Sequence, residues 1–536
     1  MNQFDYIIVG AGSAGCVLAN RLSADGRHRV LLLEAGPRDR SPWIHVPIGY
    51  GITHNDPAVN WMYNTEPDGG LGRPAFWPRG KVLGGSSAIN AMVYMRGHPG
   101  DFDDWAAAGN PGWSYREVLP YFIRSEDNAR GASEYHGAGG PMHVSDITDH
   151  AHPLCRNFLD ACTAAGYGPT PDFNGAQMEG TGLWQMTIKD GWRVSTATAF
   201  LDPVRKRPNL RIETLAHVTR VLFEGTRAVG VEFIQRGTRQ VVRAAREVVL
   251  SGGAINTPQL LQLSGVGAGS LLQRHGIPVV ADSPAVGQGL QDHVAVCHFY
   301  VARVPTLNQR LYPWYGKVAA ALQYALTRGG PLGMSVNQAG AFVRSRPGLS
   351  RPNLHLYFNP MSYTTQKVVK RKMTNPDPWP GFLMSFNTCR PTSRGWLAIR
   401  SADPLAPPEI HPNSIATPED LQDVYEGSQV LRKIAAQAPL AAITERERAP
   451  GPHINTAEEF LADFKQRAGT VYHASCTAMM GPDPRTAVVD ARLRVHGTQG
   501  LRVADASVFP AVTSANTNAP VIMVGEKASD LILADA

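Results

Sequence analysis

The chain has 536 residues, which is too long for one hydrophobic core and predicts two or more lobes. Its apolar content of 43% and charged content of 18% exclude a largely disordered protein. The formal net charge of +6 is small for this size and most basic residues are scattered, so we expect no nucleic-acid partner. We interpret the one local basic run, at residues 367–372, as a solvated loop.

Cysteine spacing and hydropathy narrow the class of protein further. The six cysteines lie far apart without a CxxC pair, so we expect neither a metal site nor a disulfide framework. No apolar run approaches the roughly 18 residues of a membrane span, and the first strand begins too early to leave room for a signal peptide. These features predict a cytoplasmic protein without an integral membrane segment. Peripheral contact with a membrane and the oligomeric state stay open.

The first 34 residues predict a strand, a glycine-rich turn, a helix and a second strand. The regular elements are expected at residues 6–9, 16–22 and 29–34. In the turn, Gly10 suits the tight bend, Gly12 the close approach of a pyrophosphate, and Gly15 the packing of helix on strand. Glu34, 19 residues after Gly15, is placed to accept hydrogen bonds from both ribose hydroxyls of an adenosine. The unit predicts a dinucleotide at the helix N-terminus, and a turn without a ligand is the alternative.

The elements that follow, up to residue 250, mix loops with short strands. Residues 37–80, rich in Pro, Gly, Trp and Asn, predict long loops over the nucleotide, and residues 79–90 form a second glycine-rich stretch expected to open a helix. A helical pattern at residues 152–165 predicts a second lobe that begins near residue 151. A β-meander is expected with strands at residues 210–213, 218–223, 228–235, 239–242 and 247–250.

The second half of the chain again contains patterns that predict helices and buried strands, as at the N-terminus. Thr257 as N-cap and Pro258 at the first helical position predict the start of a helix. Residues 296–465 alternate strand-like runs, at residues 354–358 and 396–400, with helical ones such as residues 418–436, which indicates an α+β lobe. At the end, residues 500–506 predict a buried strand and residues 520–533 a helix.

Five ordered blocks together resemble one family, the glucose–methanol–choline (GMC) flavoprotein oxidoreductases, and choline-dehydrogenase-like members in particular. The blocks span nearly the whole chain and lie at residues 10–34, 60–90, 253–267, 471–473 and 503–518. The resemblance implies an α/β fold in which a Rossmann-like FAD-binding domain carries an α+β substrate domain on a mixed or antiparallel sheet. It places the FAD-binding domain at residues 1–150, 205–295 and 468–536, and the substrate domain at residues 151–204 and 296–467.

The same resemblance implies the residues that bind FAD. These are Gly10, Gly12, Ser13, Ala14, Gly15, Glu34, Ala35, Trp61, Val82, Gly84, Gly85, Ser86, Asn90, Ala91, Met92, Val93, Val218, Tyr472, Asp505, Ala506, Asn516, Thr517 and Asn518. Asn90 would hydrogen-bond the cofactor, the backbone of Val218 would pair with the adenine edge, and Asp505 would lie near the ribityl chain and diphosphate. Without the resemblance, these three are an ordinary helix residue, a strand core valine and a helix cap.

Alcohol oxidation needs a group that takes the hydroxyl proton and an acceptor for the hydride. Imidazole suits proton transfer near neutral pH, but the sequence alone does not single out one of 17 histidines. The resemblance implies that His473 is the base and Asn516 the second active-site residue, with hydride passing to flavin N5. Because an amide does not titrate, His473 is expected to be the only titrating member of the pair. Asn518 and the helix that follows it are expected to stabilise negative charge on the reduced flavin.

Two positions depart from patterns within the family. Some members attach FAD covalently through a histidine where this chain has Ile89, so we expect FAD to be non-covalent and dissociable. Choline-specific members resemble this chain around residues 338–342 but carry a glutamate where it has Gln338, which weakens the case for a trimethylammonium substrate. The candidate pocket aromatics are Trp314, Tyr315, Tyr357, Phe358 and Trp379.

The function predicted from these residues is FAD-dependent oxidation of a primary alcohol, with electrons passed to a quinone, a dye-like acceptor or O₂. The alternatives within the fold are an alcohol oxidase that makes H₂O₂ and a non-redox, hydroxynitrile-lyase-like enzyme. A nicotinamide-dependent enzyme or a non-catalytic nucleotide-binding module is the alternative outside it. The choice of alcohol, and of dehydrogenase or oxidase, stays open.

Overall fold

The computed structural model describes residues 3–67, 70–366 and 373–536. The basic run predicted as a solvated loop, residues 367–372, therefore lies outside the described residues. Two seven-stranded sheets organise the described chain, one around a parallel core and one antiparallel throughout. Each sheet has its own hydrophobic core, which agrees with the predicted fold class.

The first sheet is built around the N-terminal strand, Gln3–Val9. In spatial order its strands are Leu210–Glu213, Val30–Leu33, Gln3–Val9, Thr238–Leu250, Arg227–Gln235 and Ala216–Glu224, with Leu501–Val503 beside Thr238–Leu250. The N-terminal strand pairs in parallel with Val30–Leu33 on one side and with Thr238–Leu250 on the other. All four residues of Val30–Leu33 are buried, as expected for a parallel strand covered on both faces.

The predicted β-meander is partly wrong. Leu210–Glu213 is not part of it, because this strand pairs in parallel with Val30–Leu33 at the edge of the sheet. The two runs predicted at residues 239–242 and 247–250 form one strand, Thr238–Leu250. Its first half pairs antiparallel with Arg227–Gln235 and its last residues pair in parallel with Leu501–Val503, so a single strand joins the meander to the parallel core.

The helix predicted to start at Thr257 begins earlier, as Gly253–Leu263, and carries Pro258 in its interior. Proline has no N–H, so the carbonyl of Ala254, one turn back, lacks its helical partner. The hydroxyl of Thr477 donates to that carbonyl at 2.7 Å. A contact from a distant part of the chain thus satisfies the group that the proline leaves open.

The prediction that residues 79–90 open a helix is also wrong. This stretch contains only one 3₁₀ turn, Gly85–Ala88. Gly84 and Gly85 have φ of +88° and +53°, which only glycine adopts at low cost. A Cβ at Gly85 would lie 2.7 Å from the Cα of Gly12, so the stretch packs backbone to backbone against the first turn of the protein.

The second sheet is antiparallel. Its order is Thr444–Ala449, Val294–Ala302, Gly381–Thr388, Leu354–Asn359, Ala339–Val343 and Gly180–Leu183, with Gly469–Thr470 beside Val294–Ala302. Smaller strand groups are Gln288–Leu290 with Gly395–Ala398 and Glu409–His411, Val266–Gly267 with Ala281–Asp282, Tyr363–Gln366 with Met373–Pro376, Tyr63–Asn64 with Phe76–Trp77, Glu126–Asn128 with Met142–Val144, and Ile188–Lys189 with Trp192–Arg193. The strands predicted at residues 354–358 and 396–400 are confirmed, the first as Leu354–Asn359 in this sheet and the second as Gly395–Ala398 in a separate three-stranded group.

The helices of the described residues pack on both sheets. They are Ser13–Leu22, Pro42–His45, Tyr50–Thr53, Pro99–Ala107, Tyr115–Ser125, Leu154–Ala164, Gly253–Leu263, Gly269–Arg274, Leu307–Leu311, Trp314–Thr327, Pro418–Ala435, Ala438–Ala441, Ala457–Arg467 and Asn518–Ala534. Shorter turns are Pro47–Gly49, Gly85–Ala88 and Ala506–Val508, with a π-type turn at Ala197–Leu201. Across the described ranges, no helix combines the length and apolar content needed to cross a bilayer.

Gly15→Ala should destabilise the protein by on the order of 3 kcal/mol, because its Cβ would lie 1.9 Å from the carbonyl oxygen of Gly10. Gly12→Ala is the matched control in the same turn, since its Cβ meets only the carbonyl oxygen of Ser251 at 3.9 Å. Thermal unfolding followed by circular dichroism should show a lowered midpoint for Gly15→Ala alone. Equal midpoints for the two variants would contradict this packing.

Candidate active site

A cavity of about 1640 Å³ lies between the two sheets. On one side it is lined by Val9 and Leu33, at the carboxyl ends of parallel strands. On the other side it is lined by residues of the antiparallel sheet, including Ala295, Tyr357 and Ser385. Ligands of doubly wound sheets bind at such carboxyl ends, so the cavity lies where the glycine motif predicts a nucleotide.

Two helix N-termini meet at one end of the cavity. The first helix, Ser13–Leu22, has Gly12 as its N-cap, and the last helix, Asn518–Ala534, has Thr517. Neither helix has a side-chain cap or an acidic residue in its first turn, so both leave backbone N–H groups free. The hydroxyl of Ser13 donates to Oδ1 of Asn518 at 2.7 Å and joins the two termini. Together they favour an anionic group.

Glu34 lies just beyond the second strand and is buried. Its carboxylate accepts hydrogen bonds from the backbone N–H of Ala11 at 2.9 Å and of Gly36 at 2.8 Å. Burial raises the pKa of Glu34 to about 7, against the opposing effect of these two donors. The side chain is therefore held in one position at the cavity wall while its ionised form is only weakly favoured.

Asp505 is a second buried carboxylate on the cavity wall. One oxygen accepts from the backbone N–H of Ser507, and the other accepts from the backbone N–H of Gly253 and the hydroxyl of Thr257. Burial raises the pKa of Asp505 in spite of these donors. Asp505 caps the short turn Ala506–Val508, as the helix-cap interpretation expects. Its contacts with Gly253 and Thr257 also tie the strand Leu501–Val503 to the helix Gly253–Leu263.

His473 and Asn516 meet on the cavity wall, next to the N-cap Thr517 of the last helix. Nδ2 of Asn516 lies 3.1 Å from Nε2 of His473, and Nδ1 of His473 lies 2.8 Å from Nδ1 of His293. Nε2 of His293 lies 3.0 Å from the carbonyl oxygen of Cys389. These contacts form one continuous chain of hydrogen bonds, and all three side chains are held by it.

The chain of hydrogen bonds fixes which nitrogen of His473 carries the proton. A carbonyl only accepts, so Nε2 of His293 must donate to Cys389, and Nδ1 of a neutral His293 is then an acceptor. Nδ1 of His473 must therefore donate to His293, which leaves the lone pair of His473 on Nε2, where the amide of Asn516 donates to it. The lone pair faces the cavity.

The backbone of His473 is held by a buried carboxylate. Its N–H donates to Oδ1 of Asp292 at 2.6 Å, and the hydroxyl of Thr470 donates to Oδ2 of the same carboxylate. Nη1 of Arg79 donates to the carbonyl oxygen of Tyr472 at 2.5 Å. Burial raises the pKa of Asp292 to about 6, although the charge of Arg79 acts in the opposite direction. These contacts fix the segment that carries the imidazole.

The structure places most of the predicted site residues on the wall of this cavity. Those that line it are Gly10, Gly12, Ser13, Ala14, Glu34, Ala35, Trp61, Gly85, Ser86, Asn90, Ala91, Met92, Val93, Val218, Tyr472, His473, Asp505, Ala506, Asn516, Thr517 and Asn518. Gly15, Val82 and Gly84 do not line it. Gly15 packs on the carbonyl of Gly10, Val82 is buried in a small apolar cluster, and Gly84 forms a turn at positive φ.

Asn90 is fixed by two donors. Its Oδ1 accepts from the backbone N–H of Met92 at 3.0 Å and from Nη1 of Arg193 at 2.7 Å. Arg193 is almost fully buried, and its Nε donates to the carbonyl of Ile44. The carbonyl end of the amide is thus occupied, which leaves the N–H₂ end of Asn90 for a group in the cavity.

The aromatic residues predicted to line the pocket are mostly elsewhere. Of the five, Tyr357 lines the cavity, whereas Phe358 is buried in the core of the antiparallel sheet. Trp314 and Tyr315 lie exposed on one helix, and Trp379 packs against the guanidinium of Arg448. The side chains turned toward the cavity instead include Tyr50, Phe299, Tyr363 and Tyr472. Strand alternation predicts that Tyr357 and Phe358 face opposite sides, but not which side faces the cavity.

Gln338 does not line the cavity. Its Oε1 accepts from the backbone N–H of His152 at 2.7 Å, and its Nε2 donates to the carbonyl of Ser335. The residue is buried and ties the antiparallel sheet to the segment before the helix Leu154–Ala164. The identity of residue 338 therefore says little about the charge of a substrate.

Sequence reasoning missed three residues that organise the site: Arg79, Asp292 and His293. Asp292 and His293 directly precede the strand Val294–Ala302, and Arg79 is the first residue of the second glycine-rich stretch. A buried acidic–imidazole dipeptide at a strand start is the one signal available in the sequence, and it does not name His473 as the partner. The pairing of His293 with His473 is a contact between residues 180 positions apart in the chain, so only the tertiary structure reveals it.

Charge is divided unevenly along the cavity. Among the described residues that line it, the carboxylates are Glu34 and Asp505, both on the walls of the first sheet. The cationic side chains on its wall are Arg79, Lys317, Arg448 and Arg467. The wall near His473 thus offers cations, tyrosines and amides, and no carboxylate among the described lining residues.

Comparison with known proteins gives one consistent result. Family models described as GMC oxidoreductase match residues 4–295 and 391–525. Mitochondrial choline dehydrogenase of Mus musculus is 46% identical over 542 residues, covering 99% of this chain and 89% of the relative. An alcohol dehydrogenase (acceptor) of Pseudomonas putida is 45% identical, covering 99% of this chain and 96% of the relative. A structure from a study of FAD modification in formate oxidase of Aspergillus oryzae RIB40 has a TM-score of 0.91 at 28% identity, covering 100% of this chain and 98% of that chain.

His473 should stay neutral, with its proton on Nδ1, as the pH falls from 8 through 6.5. Burial lowers the pKa of His473 well below 6.5, and the neighbouring His293, His355 and Arg79 act in the same direction. Nitrogen NMR of protein labelled at histidine should show one tautomer over this range, assigned by comparison with His473→Gln. A titration of this signal near pH 6.5 would contradict the arrangement.

Proposed function

Because the chain belongs to the GMC oxidoreductase family, we propose that it is an FAD-dependent dehydrogenase that oxidises an uncharged primary alcohol to the aldehyde and passes the electrons to a quinone-like or artificial acceptor. Membership confirms the predicted family, the fold class and FAD as cofactor, and makes the protein an oxidoreductase of CH–OH donors. The observation that carries the proposal is the lone pair of His473 Nε2, facing the cavity beside the amide of Asn516.

The residues present fit FAD. The open side of Gly12 leaves room for close approach of a diphosphate, and the N-terminus of the helix Ser13–Leu22 supplies N–H donors for it. Within the described part of the chain, two cavity-lining residues carry buried polar atoms without a partner, Nη2 of Arg79 and Oγ of Ser251. Such orphaned atoms are costly unless a ligand pairs with them.

We assign the binding roles on this basis. Glu34 would hold the adenosine ribose, the N-terminus at Ser13 the diphosphate, and Asn90 together with Asn518 and its helix N-terminus the flavin end. Ile89 is a buried aliphatic side chain and offers no nucleophile, which supports a non-covalent cofactor. When bound, FAD supplies the two-electron acceptor for hydride from the alcohol carbon. The proposed FAD-binding domain remains residues 1–150, 205–295 and 468–536, and the proposed substrate domain residues 151–204 and 296–467.

The protein's own part in the reaction is to hold the alcohol oxygen and take its proton. The hydroxyl donates to Nε2 of His473 and accepts from Nδ2 of Asn516, in place of the direct contact between these two side chains. As the carbon gives up hydride, the proton moves to Nε2. Nδ1–H of His473 keeps donating to His293 throughout, so the ring does not need to turn.

The charge of the cavity favours an uncharged alcohol. A trimethylammonium group is attracted by a carboxylate, and the described lining residues near His473 include none, while Arg448 and Arg467 on the wall are each paired with a carboxylate. Tyr50, Phe299, Tyr357 and Tyr363 supply an apolar wall for a hydrocarbon chain or a ring. This chemistry is nearer to an alcohol dehydrogenase (acceptor), as the Pseudomonas putida relative is named, than to a choline dehydrogenase.

A substrate panel under anaerobic conditions tests the proposal. Addition of a primary alcohol such as 1-octanol should bleach the visible flavin absorbance, and choline at the same concentration should do so far more slowly. A parallel assay with O₂ and with a dye acceptor should favour the dye. Flavin that no alcohol bleaches would overturn the proposal, and cyanohydrin cleavage without bleaching would identify the lyase instead.

His473→Ala should slow bleaching by 1-octanol by roughly 10²–10⁴-fold, because it removes the proton acceptor. The FAD content should stay the same, since the contacts that we assign to the cofactor lie on other residues. His453→Ala, at an exposed histidine, is the control and should behave as the unchanged protein. Stopped-flow absorbance of the purified variants gives both the rate and the FAD content. An unchanged rate in His473→Ala would remove this residue from the mechanism.

FAD affinity should fall as the pH falls below about 7. The ribose hydroxyls need an ionised Glu34 as acceptor, and burial raises the pKa of Glu34 to about 7 in the protein without FAD. Protonation therefore competes with binding, and the Kd should rise about tenfold per pH unit until the lower pKa of the bound state is reached. Fluorescence titration of FAD into deflavinated protein between pH 5.5 and 8.5 measures this.

Glu34→Gln is the matched control for that titration. It should bind FAD more weakly at pH 8 and show no such pH dependence, because the amide does not titrate. An equally steep pH dependence in Glu34→Gln would mean that another group is responsible.

A further inference from the structure

The helix Trp314–Thr327 is the least buried long helix on the antiparallel-sheet side of the molecule. Of its 14 residues, only Ala320 and Tyr324 are buried. Trp314 is 76% exposed, Leu322 59% and Leu326 84%, and Val318 is half exposed. These residues recur every four positions, which places them on one face of the helix. We call this face, with the adjacent Tyr315, the apolar stripe.

Such a stripe is unusual on a globular protein. Single exposed apolar residues need no explanation, but a contiguous row of large ones along a helix marks a surface that another body covers. A helix that packed its apolar face inward would bury these positions. Here the helix turns Ala320 and Tyr324 toward the protein and its tryptophan and leucines outward.

The charge around the stripe indicates what covers it. From residue 293 to residue 376 the sequence contains eleven Lys and Arg residues, of which Arg344, Arg346 and Arg351 pair with carboxylates from other parts of the chain. Three of these cations flank the helix or lie in it, namely Arg310, Lys317 and Arg328. Arg310 donates to the neutral Gln323, and Arg328 lies over the rings of Trp192 and Tyr324, so their charges are not neutralised by these contacts.

The helix also borders the cavity. Lys317, Val318 and Ala321 line it, as does Leu332 just beyond the helix. Trp43, which is 44% exposed, lines the same cavity. The apolar stripe and the wall of the active-site cavity are therefore formed by neighbouring residues of one helix.

We propose that the helix Trp314–Thr327 docks the protein on an anionic membrane surface. The stripe enters the apolar side of the lipid interface, where tryptophan and tyrosine rings are favoured, and Arg310, Lys317 and Arg328 contact the phosphate head groups. The helix lies in the plane of the leaflet and does not cross it.

The alternative occupant is a second copy of this chain. A two-fold pairing of the stripe would bring Arg310, Lys317 and Arg328 close to the same three cations of a second copy. An anionic leaflet offers the opposite charge over the whole surface. Charge complementarity therefore favours the membrane.

One consequence rests on the proposed function. A cavity whose wall lies on the leaflet receives an apolar alcohol or a quinone acceptor from the lipid, without either passing through water. Docking itself does not depend on the reaction, so an experiment can reject membrane docking without rejecting the proposed alcohol oxidation, and the reverse.

Flotation with vesicles tests docking on the full chain carrying its FAD. Wild-type protein should bind vesicles of phosphatidylcholine with one quarter phosphatidylglycerol, and bind pure phosphatidylcholine vesicles much less. The variant Leu322→Glu/Leu326→Glu should reduce the partition coefficient at least tenfold. Leu405→Glu changes a residue that is 60% exposed and lies outside the helix Trp314–Thr327, so it should leave the partition coefficient unchanged.

The charge contribution is tested by Arg310→Gln. Removing one cation near the surface should lower partition into the anionic vesicles about fivefold and leave binding to neutral vesicles unchanged. Bleaching by a water-soluble alcohol without vesicles should be normal in Leu322→Glu/Leu326→Glu, because neither leucine lines the cavity. Normal bleaching together with lost vesicle binding would separate docking from catalysis.

Two results would overturn the proposal. Wild-type protein that does not float with anionic vesicles has no such surface. A wild-type dimer by light scattering that becomes monomeric in Leu322→Glu/Leu326→Glu, without vesicle binding, would assign the stripe to a second copy. An unchanged thermal midpoint in the variant confirms that the comparison is between folded proteins.

Discussion

The close packing of the first helix on the last helix is the constraint on which the site depends. A Cβ at Gly525 would lie 3.0 Å from the Cα of Ala14, so the two helices approach nearly backbone to backbone. Glu526 is fully buried at this contact and pairs with Arg21 and Arg124. Burial of an ion pair in this setting needs both partners, which ties the C-terminal helix to one position. The result is that two helix N-termini, from opposite ends of the chain, point into one cavity.

From that contact the cavity divides into two electrostatic environments. Its nucleotide end carries the carboxylates Glu34 and Asp505, each held by backbone donors. Another part of its wall carries a neutral imidazole whose tautomer follows from a carbonyl at the far end of a hydrogen-bond chain. Burial disfavours charge on His473, so the group is kept in the form that accepts a proton. Burying the side chains of His473, His293 and Asn516 costs free energy, and their hydrogen bonds to one another and to the carbonyl of Cys389 offset that cost.

Family membership and local detail answer different questions about this protein. Membership gives the cofactor and the class of reaction, which are common to choline and alcohol dehydrogenases. The distribution of charge on the described cavity walls bears on the substrate, and Gln338 bears on it little because its amide is used inside the fold. The apolar stripe adjoins the same cavity, so the access route and the chemistry of the pocket point to the same kind of molecule.

The sequence by itself determined the parts of this protein that depend on short-range pattern: the glycine turn, Glu34, the strand of residues 354–358 and the helices near residues 154 and 418. It failed at residues 79–90 and at Pro258, where glycine spacing and proline position have more than one local solution and a distant neighbour selects one. Only the tertiary structure decided the partners of His473, because His293 and Asp292 lie about 180 residues away and neither carries a motif. The same holds for the apolar stripe, since an amphipathic helix has the same sequence pattern whether its apolar face is buried or exposed.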